Sequence, residues 1–136
     1  MHNEQHPSGL DNLHFKTLTE VADLIQSREI SSVELTTTIL DRIKSLDNTL
    51  KSYATVMADH ALAAAKKADA EIEAGQYRGP LHGVPIAVKD LCFTKGVRTM
   101  GGSAVFADHI PDYDATVVSK LEAAGDLHRI KAEVDW

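Results

Sequence analysis

Lys89 directly follows a compact apolar run, residues 84–88, and precedes Asp90. A run of that length reads as a buried strand, so Lys89 falls at a strand end or is drawn inward. Most lysines are solvated at the surface. A lysine that is buried has a depressed pKa, because desolvation penalises the ammonium form. A neutral amine near pH 7 accepts a proton from a serine hydroxyl. The chemistry open to such a residue is base catalysis of acyl transfer, given serines close by. A lysine acting alone could instead form a Schiff base with a carbonyl substrate.

Other reactive side chains are less well placed. His2 and His6 lie near the start, and His14, His60, His82, His109 and His128 are scattered along the chain. No two stand at close metal-ligand spacing, so they read as surface or turn residues and no metal is called for. Cys92 has no activating base beside it in sequence and reads as a packing residue. Gly101-Gly102-Ser103 lacks the Gly-Lys-Ser/Thr ending of a phosphate loop and the Gly-x-Ser-x-Gly spacing of a nucleophile elbow. It reads as a tight backbone feature, and no cofactor is expected.

The elements that must position Lys89 follow from caps and periodicity. Residues 1–16 read as a flexible tail, with Pro7, Ser8 and Gly9. Thr17 and Glu20 have capping-box spacing, and Leu18, Val21, Ala22 and Ile25 follow at helical spacing. Ser31 and Glu34 repeat the cap ahead of a stripe of Leu35, Ile39, Ile43 and Leu46, with Asp47 and Asn48 ending that helix. Residues 53–57 could be a short strand. Residues 58–74 are alanine-rich and predict a helix with Ala61, Leu62, Ala65, Ala68 and Ile72 on one face, and Gly75 suits its C-terminal cap. Pro85 is tolerated near the start of the strand over 84–88. A glycine-punctuated loop covers 95–103. Asp114 can cap a last helix bearing Val117, Val118, Leu121 and Ala124, with Gly125 just past its end. Helices alternating with short apolar runs make this an α/β chain.

Composition narrows the class. The 136 residues suffice for one ordinary domain. Fourteen Lys and Arg against 20 Asp and Glu leave a net charge of −6, which argues against direct nucleic-acid binding. The hydrophobic fraction of 43% fits a globular rather than a disordered chain. No apolar run is long enough to cross a bilayer, and residues 1–12 lack the apolar core of a signal peptide. The single cysteine allows no internal disulfide and fits a reducing, cytoplasmic compartment.

The string Gly79-Pro80-Leu81-His82-Gly83-Val84-Pro85-Ile86-Ala87-Val88-Lys89-Asp90 closely resembles the lysine motif of the amidase-signature enzymes. Thr94-Lys95-Gly96-Val97-Arg98-Thr99 and Gly102-Ser103 are similar to that family too. So is Pro111-Asp112-Tyr113-Asp114-Ala115-Thr116-Val117-Val118, continuing through Leu121 to Ala124-Gly125. The resemblance covers residues 17–125 in motif order. It implies an α/β/α fold, a mixed central sheet flanked by helices, of which this chain is a helix-rich N-terminal fragment. It also implies hydrolysis or transfer of carboxamides by a Ser–cis-Ser–Lys triad. In that triad Lys89 would deprotonate a bridging serine, which activates the nucleophilic serine. Backbone amides of a Gly/Ser-rich loop would hold the oxyanion. Members include simple amidases and the amidotransferase component that supplies ammonia for misacylated tRNA.

Residues 126–136 depart from the family pattern and are expected to form a divergent tail, with both serines absent. Ser103 matches a non-catalytic family position. Three readings follow. One is an amidase-family polypeptide that is inactive as it stands, with a small amide as the complete enzyme's substrate. Another is an interaction fragment that pairs with a complementing chain, as in a split amidase or a split tRNA-dependent amidotransferase component, or with itself. The third is a lyase or hydrolase using Lys89 alone.

Overall fold

The computed structural model describes residues 12–125 in full and the backbone of residues 129–132. Four helices, α1 (Leu18–Gln26), α2 (Ser32–Leu50), α3 (Ala58–Glu73) and α4 (Thr116–Ala123), pack with three short strands, β1 (Tyr53–Thr55), β2 (Ile86–Lys89) and β3 (Arg129–Ala132).

The helix starts follow the sequence signals. Thr17 and Ser31 each accept from the N–H three residues on, and Glu20 and Glu34 reach back to the cap amides, so both capping boxes form. These pairs occupy N–H groups that a helix leaves without partners in its first turn. α2 runs past Asp47 and Asn48 to Leu50, where Lys51 takes a left-handed conformation at φ 51°. The last helix differs from expectation. Its N-cap is Ala115, not Asp114, and the Asp114 Oδ1 accepts from the Lys95 N–H at 2.7 Å. The carboxylate joins two loops where a cap was expected.

The core gathers Leu13, Val21, Ile25, Ile30, Leu35, Ile72 and Val84. Burying a side chain such as Ile25 contributes about 1.5–3 kcal/mol. Ala61, Ala65 and Ala68 on α3 have no exposed surface, and these methyl-sized side chains suit a close helix contact. The α2 stripe loosens toward its end, where Leu46 is exposed while Leu35 and Ile43 are buried. The tail expected over 1–16 stops short. Leu13–Phe15 form a 3-10 turn, and Leu13 enters the core because its apolar side chain meets the α1–α2 layer. Residues 1–11 of that tail lie outside the described residues.

The sheet order is β1-β3-β2. β3 runs antiparallel to β1, pairing Tyr53 with Ala132, and parallel to β2, pairing Ile86 with Arg129 through Lys89 with Ala132. The central strand therefore comes from the segment expected to be a divergent tail. The rest of that segment, residues 126–128 and 133–136, lies outside the described residues. β2 is also less enclosed than expected: Val88 is buried and Ile86 half-buried, whereas Ala87 and Lys89 on the other face are exposed.

Candidate active site around Lys89

Lys89 ends β2 on its exposed face, in register with Ala132 of β3. Strand alternation sets this orientation, since successive side chains point to opposite faces and Val88 takes the covered one. The Lys89 carbonyl accepts from the Cys92 N–H at 2.9 Å, so the chain turns immediately after the lysine.

Asp90 holds that turn. It is 2% exposed, and its Oδ2 accepts from the Met100 N–H at 3.1 Å. Its carbonyl accepts from the Gly101 N–H at 3.3 Å. Oδ1 is buried and has no hydrogen-bond donor among the described residues. Gly101 and Gly102 have φ of 58° and 72°, a left-handed pair that residues with a Cβ rarely adopt. The expected tight backbone feature is present there. Ser103 is a cap: its Oγ accepts from the Val105 N–H at 3.3 Å at the start of the 3-10 turn Ala104–Phe106.

The motif segments after Lys89 bind one another. The Gly96 N–H donates to Pro111 O at 2.9 Å, Thr99 to His109 O at 3.0 Å, and Ala115 to Phe93 O at 2.8 Å. Thr94 has no exposed surface. Phe93 lies 5.1 Å from His109 and 5.4 Å from Tyr113, ring centre to ring centre. Residues scattered through three sequence motifs thus form one loop assembly beside the lysine.

On the approach to β2, His82 sits in a turn closed by its N–H to Gly79 O, 2.9 Å. A surface or turn position was expected for it, but it has no exposed surface. Its Nδ1 accepts from the Arg78 N–H at 3.1 Å, so in the neutral ring Nε2 carries the hydrogen and donates to Glu71 Oε2 at 2.9 Å. Glu71 also accepts from Arg78 Nη2 at 2.7 Å. Nothing in the spacing of residues 71, 78 and 82 announced this cluster. Its partners come from a helix and a loop that meet only in the fold. Among the described residues, no three His, Cys, Asp or Glu side chains gather as a metal site would require. A groove lined by Leu40, Ile43, Val56 and Leu62 includes no residue of β2 or of the turn after it.

A family model described as Amidase matches residues 34–135. The chain belongs to the amidase family. The match includes most of the segment after Gly125 that was expected to diverge from the family. The "Putative amidase AmiD" of Mycobacterium bovis is 58% identical to this amidase-family chain over 108 residues, 79% of the chain and 23% of that protein. The A component of the glutamyl-tRNA(Gln) amidotransferase of Geobacter sulfurreducens is 50% identical over 109 residues, 80% of the chain and 22% of that protein. In structure, the native peptide amidase of Stenotrophomonas maltophilia superposes with a TM-score of 0.78 at 30% identity, covering 90% of the chain and 25% of that protein. This amidase-family chain therefore spans about a quarter of the length of the relatives it matches. Among the described residues, no helix is long and apolar enough to cross a membrane.

Proposed function

We propose that Lys89 is the general base of carboxamide hydrolysis or transfer in an amidase-family active site, to which this chain contributes the lysine strand. The observation carrying this reading is the placement of Lys89 at the end of β2, on the open face of the sheet, ahead of a turn that Asp90 ties to residues 100–101. Any element covering that face takes the amine out of water, the condition under which a lysine becomes an effective proton acceptor. In the family mechanism the neutral amine takes the proton of the bridging serine, which takes that of the nucleophilic serine. The nucleophile's oxygen then bonds to the amide carbon. The proton returns to the amide nitrogen as its bond to carbon breaks, and ammonia or an amine leaves. Water hydrolyses the acyl-serine, or a second nucleophile accepts the acyl group. No residue of this chain matches either serine, so the 136 residues by themselves turn over no carboxamide.

The interaction-fragment reading is favoured by one feature, the exposed Leu91, Phe106 and Ile110 near the lysine strand. It is compatible with the first, since a fragment can supply the lysine to a complementing chain. The lone cysteine suits the cytoplasm, which is part of this proposal.

Ammonia release from a panel of simple carboxamides tests the reading. The chain alone should release none. An assembled amidase containing it should turn over and lose a factor on the order of a thousand or more with Lys89→Ala. Turnover by the chain alone that vanishes with Lys89→Ala would require a nucleophile within these residues. Undiminished turnover by the assembled Lys89→Ala enzyme would remove Lys89 from the reaction.

A further inference from the structure

We propose that the open face and outer edge of β2, together with the apolar surface of residues 91–117, form the docking site for the remaining three quarters of an amidase fold, and that the site binds that remainder even as a separate chain. This rests on the reading of the chain as one contributor to an amidase site, but it requires the family fold and not turnover.

Three independent features converge on this surface. First, Leu91, Val105, Phe106, Ile110 and Tyr113 are all exposed, Val105 at 86%. Leu91, Phe93, Met100, Phe106 and His109 line one hollow, and the Phe106 and His109 rings lie 6.0 Å apart. Contiguous apolar surface of this kind marks an interaction site. Second, the patch is built on fixed backbone: the Thr99–His109, Gly96–Pro111 and Ala115–Phe93 hydrogen bonds tie its two halves together. A preorganised surface loses less entropy on binding. Third, β2 pairs with β3 on one side and, among the described residues, with no strand on the other. Parallel strands are ordinarily enclosed within larger sheets, and an open strand edge is a template for another strand.

The occupant is identified by what it must bring. It needs further sheet, cover for the Ala87 and Lys89 face, and apolar surface for the patch. The matched relatives are about four times the length of this chain, and the additional part of that fold is the partner with those properties. A second copy fits less well. A two-fold pairing of β2 edges is antiparallel, whereas the β2–β3 pair is parallel and of the kind extended through crossovers.

The experiment co-expresses this chain, tagged, with the remainder of an amidase-family relative. The relative is one whose own matching quarter, made as a separate chain, is retained by that remainder, which supplies the positive control. The tagged chain should retain the remainder in a one-to-one complex by sedimentation. Phe106→Asp and Ile110→Asp should each weaken it at least about tenfold, with circular dichroism of the free variants unchanged. Val105→Asp replaces either variant that fails to fold. Lys89→Ala should leave the affinity within about twofold. The proposal is overturned if the remainder holds its own quarter and not this chain, if this chain only self-associates, or if the patch variants bind unaltered. A complex that forms but does not turn over leaves the docking site standing and counts against the base role of Lys89.

Discussion

Asp69 on α3 spans the first two amides of α2: its Oδ1 accepts from the Ser32 N–H at 2.6 Å and its Oδ2 from the Val33 N–H at 3.0 Å. Ser32 then donates its hydroxyl to Gly83 O at 2.6 Å. One residue pair thus links α3, α2 and the loop that delivers β2. A carboxylate at a helix N-terminus satisfies free N–H groups and complements the helix dipole. Ser32 is fully buried, so water cannot easily replace the lost acceptor. Asp69→Ala should therefore cost about 2 kcal/mol or more in urea denaturation. A cost under about 0.5 kcal/mol would show that the α2 amides are satisfied otherwise.

Gly125, just past α4, has φ +108°, and a Cβ built there lies 2.9 Å from the His82 Cα. Gly125→Ala therefore meets backbone, which cannot swing aside as a flexible side chain would. Gly75, at φ +81°, has nothing within 4 Å, so Gly75→Ala incurs conformational strain alone. The Gly125 variant should lose more stability, about 2 kcal/mol or more against about 1 for Gly75. Equal melting temperatures for the two would mean that α4 does not close against the His82 turn.

The Glu71 cluster predicts an acid limb. Burial pushes the Glu71 carboxyl up, but hydrogen bonds from Arg78 and His82, together with their charges, outweigh it and hold the group below its ordinary 4.5. A carboxylate depressed in the folded state stabilises above its unfolded pKa. That contribution is lost as pH falls from about 4.5 through the lower folded value. Glu71→Gln should lower the melting temperature at pH 7 and flatten its decline below about pH 4.5. Parallel acid limbs for the two proteins would assign the decline to other carboxylates.

What the sequence disclosed depended on whether the signal was local. Both capping boxes, the alanine-rich α3 and the strand before Lys89 were legible because their determinants lie within a few residues of one another. Arg129-Ile130-Lys131-Ala132 alternates polar and apolar residues as a strand does, yet the segment reads as a tail when judged by its departure from the family motif. Alternation was there the better guide. The cluster of Glu71, Arg78 and His82 and the bond from Asp69 to α2 depend on pairing across the fold, which no local period encodes. The one-sided burial of β2 was hidden for a related reason, since an apolar run specifies a strand but not how many layers cover it.

Asp90 distinguishes two ways of holding the turn after Lys89. Its Oδ2 takes the Met100 N–H, while its buried Oδ1 has no donor among the described residues. A buried carboxylate oxygen without a donor is costly, whereas a buried N–H left without an acceptor costs about 1–3 kcal/mol. Asp90→Asn can keep an oxygen toward Met100 and replace the charged, donorless oxygen with a neutral amide. Asp90→Ala abandons the Met100 N–H altogether. The Asn variant should therefore lie within about 0.5 kcal/mol of the original chain, or be slightly more stable, while the Ala variant loses about 1–3 kcal/mol. Urea melts of the three proteins, with denaturant slopes compared to confirm a common unfolded state, make the comparison. If Asn proves as damaging as Ala, the negative charge itself holds the turn, and Oδ1 meets a donor that the fold supplies from outside residues 12–125.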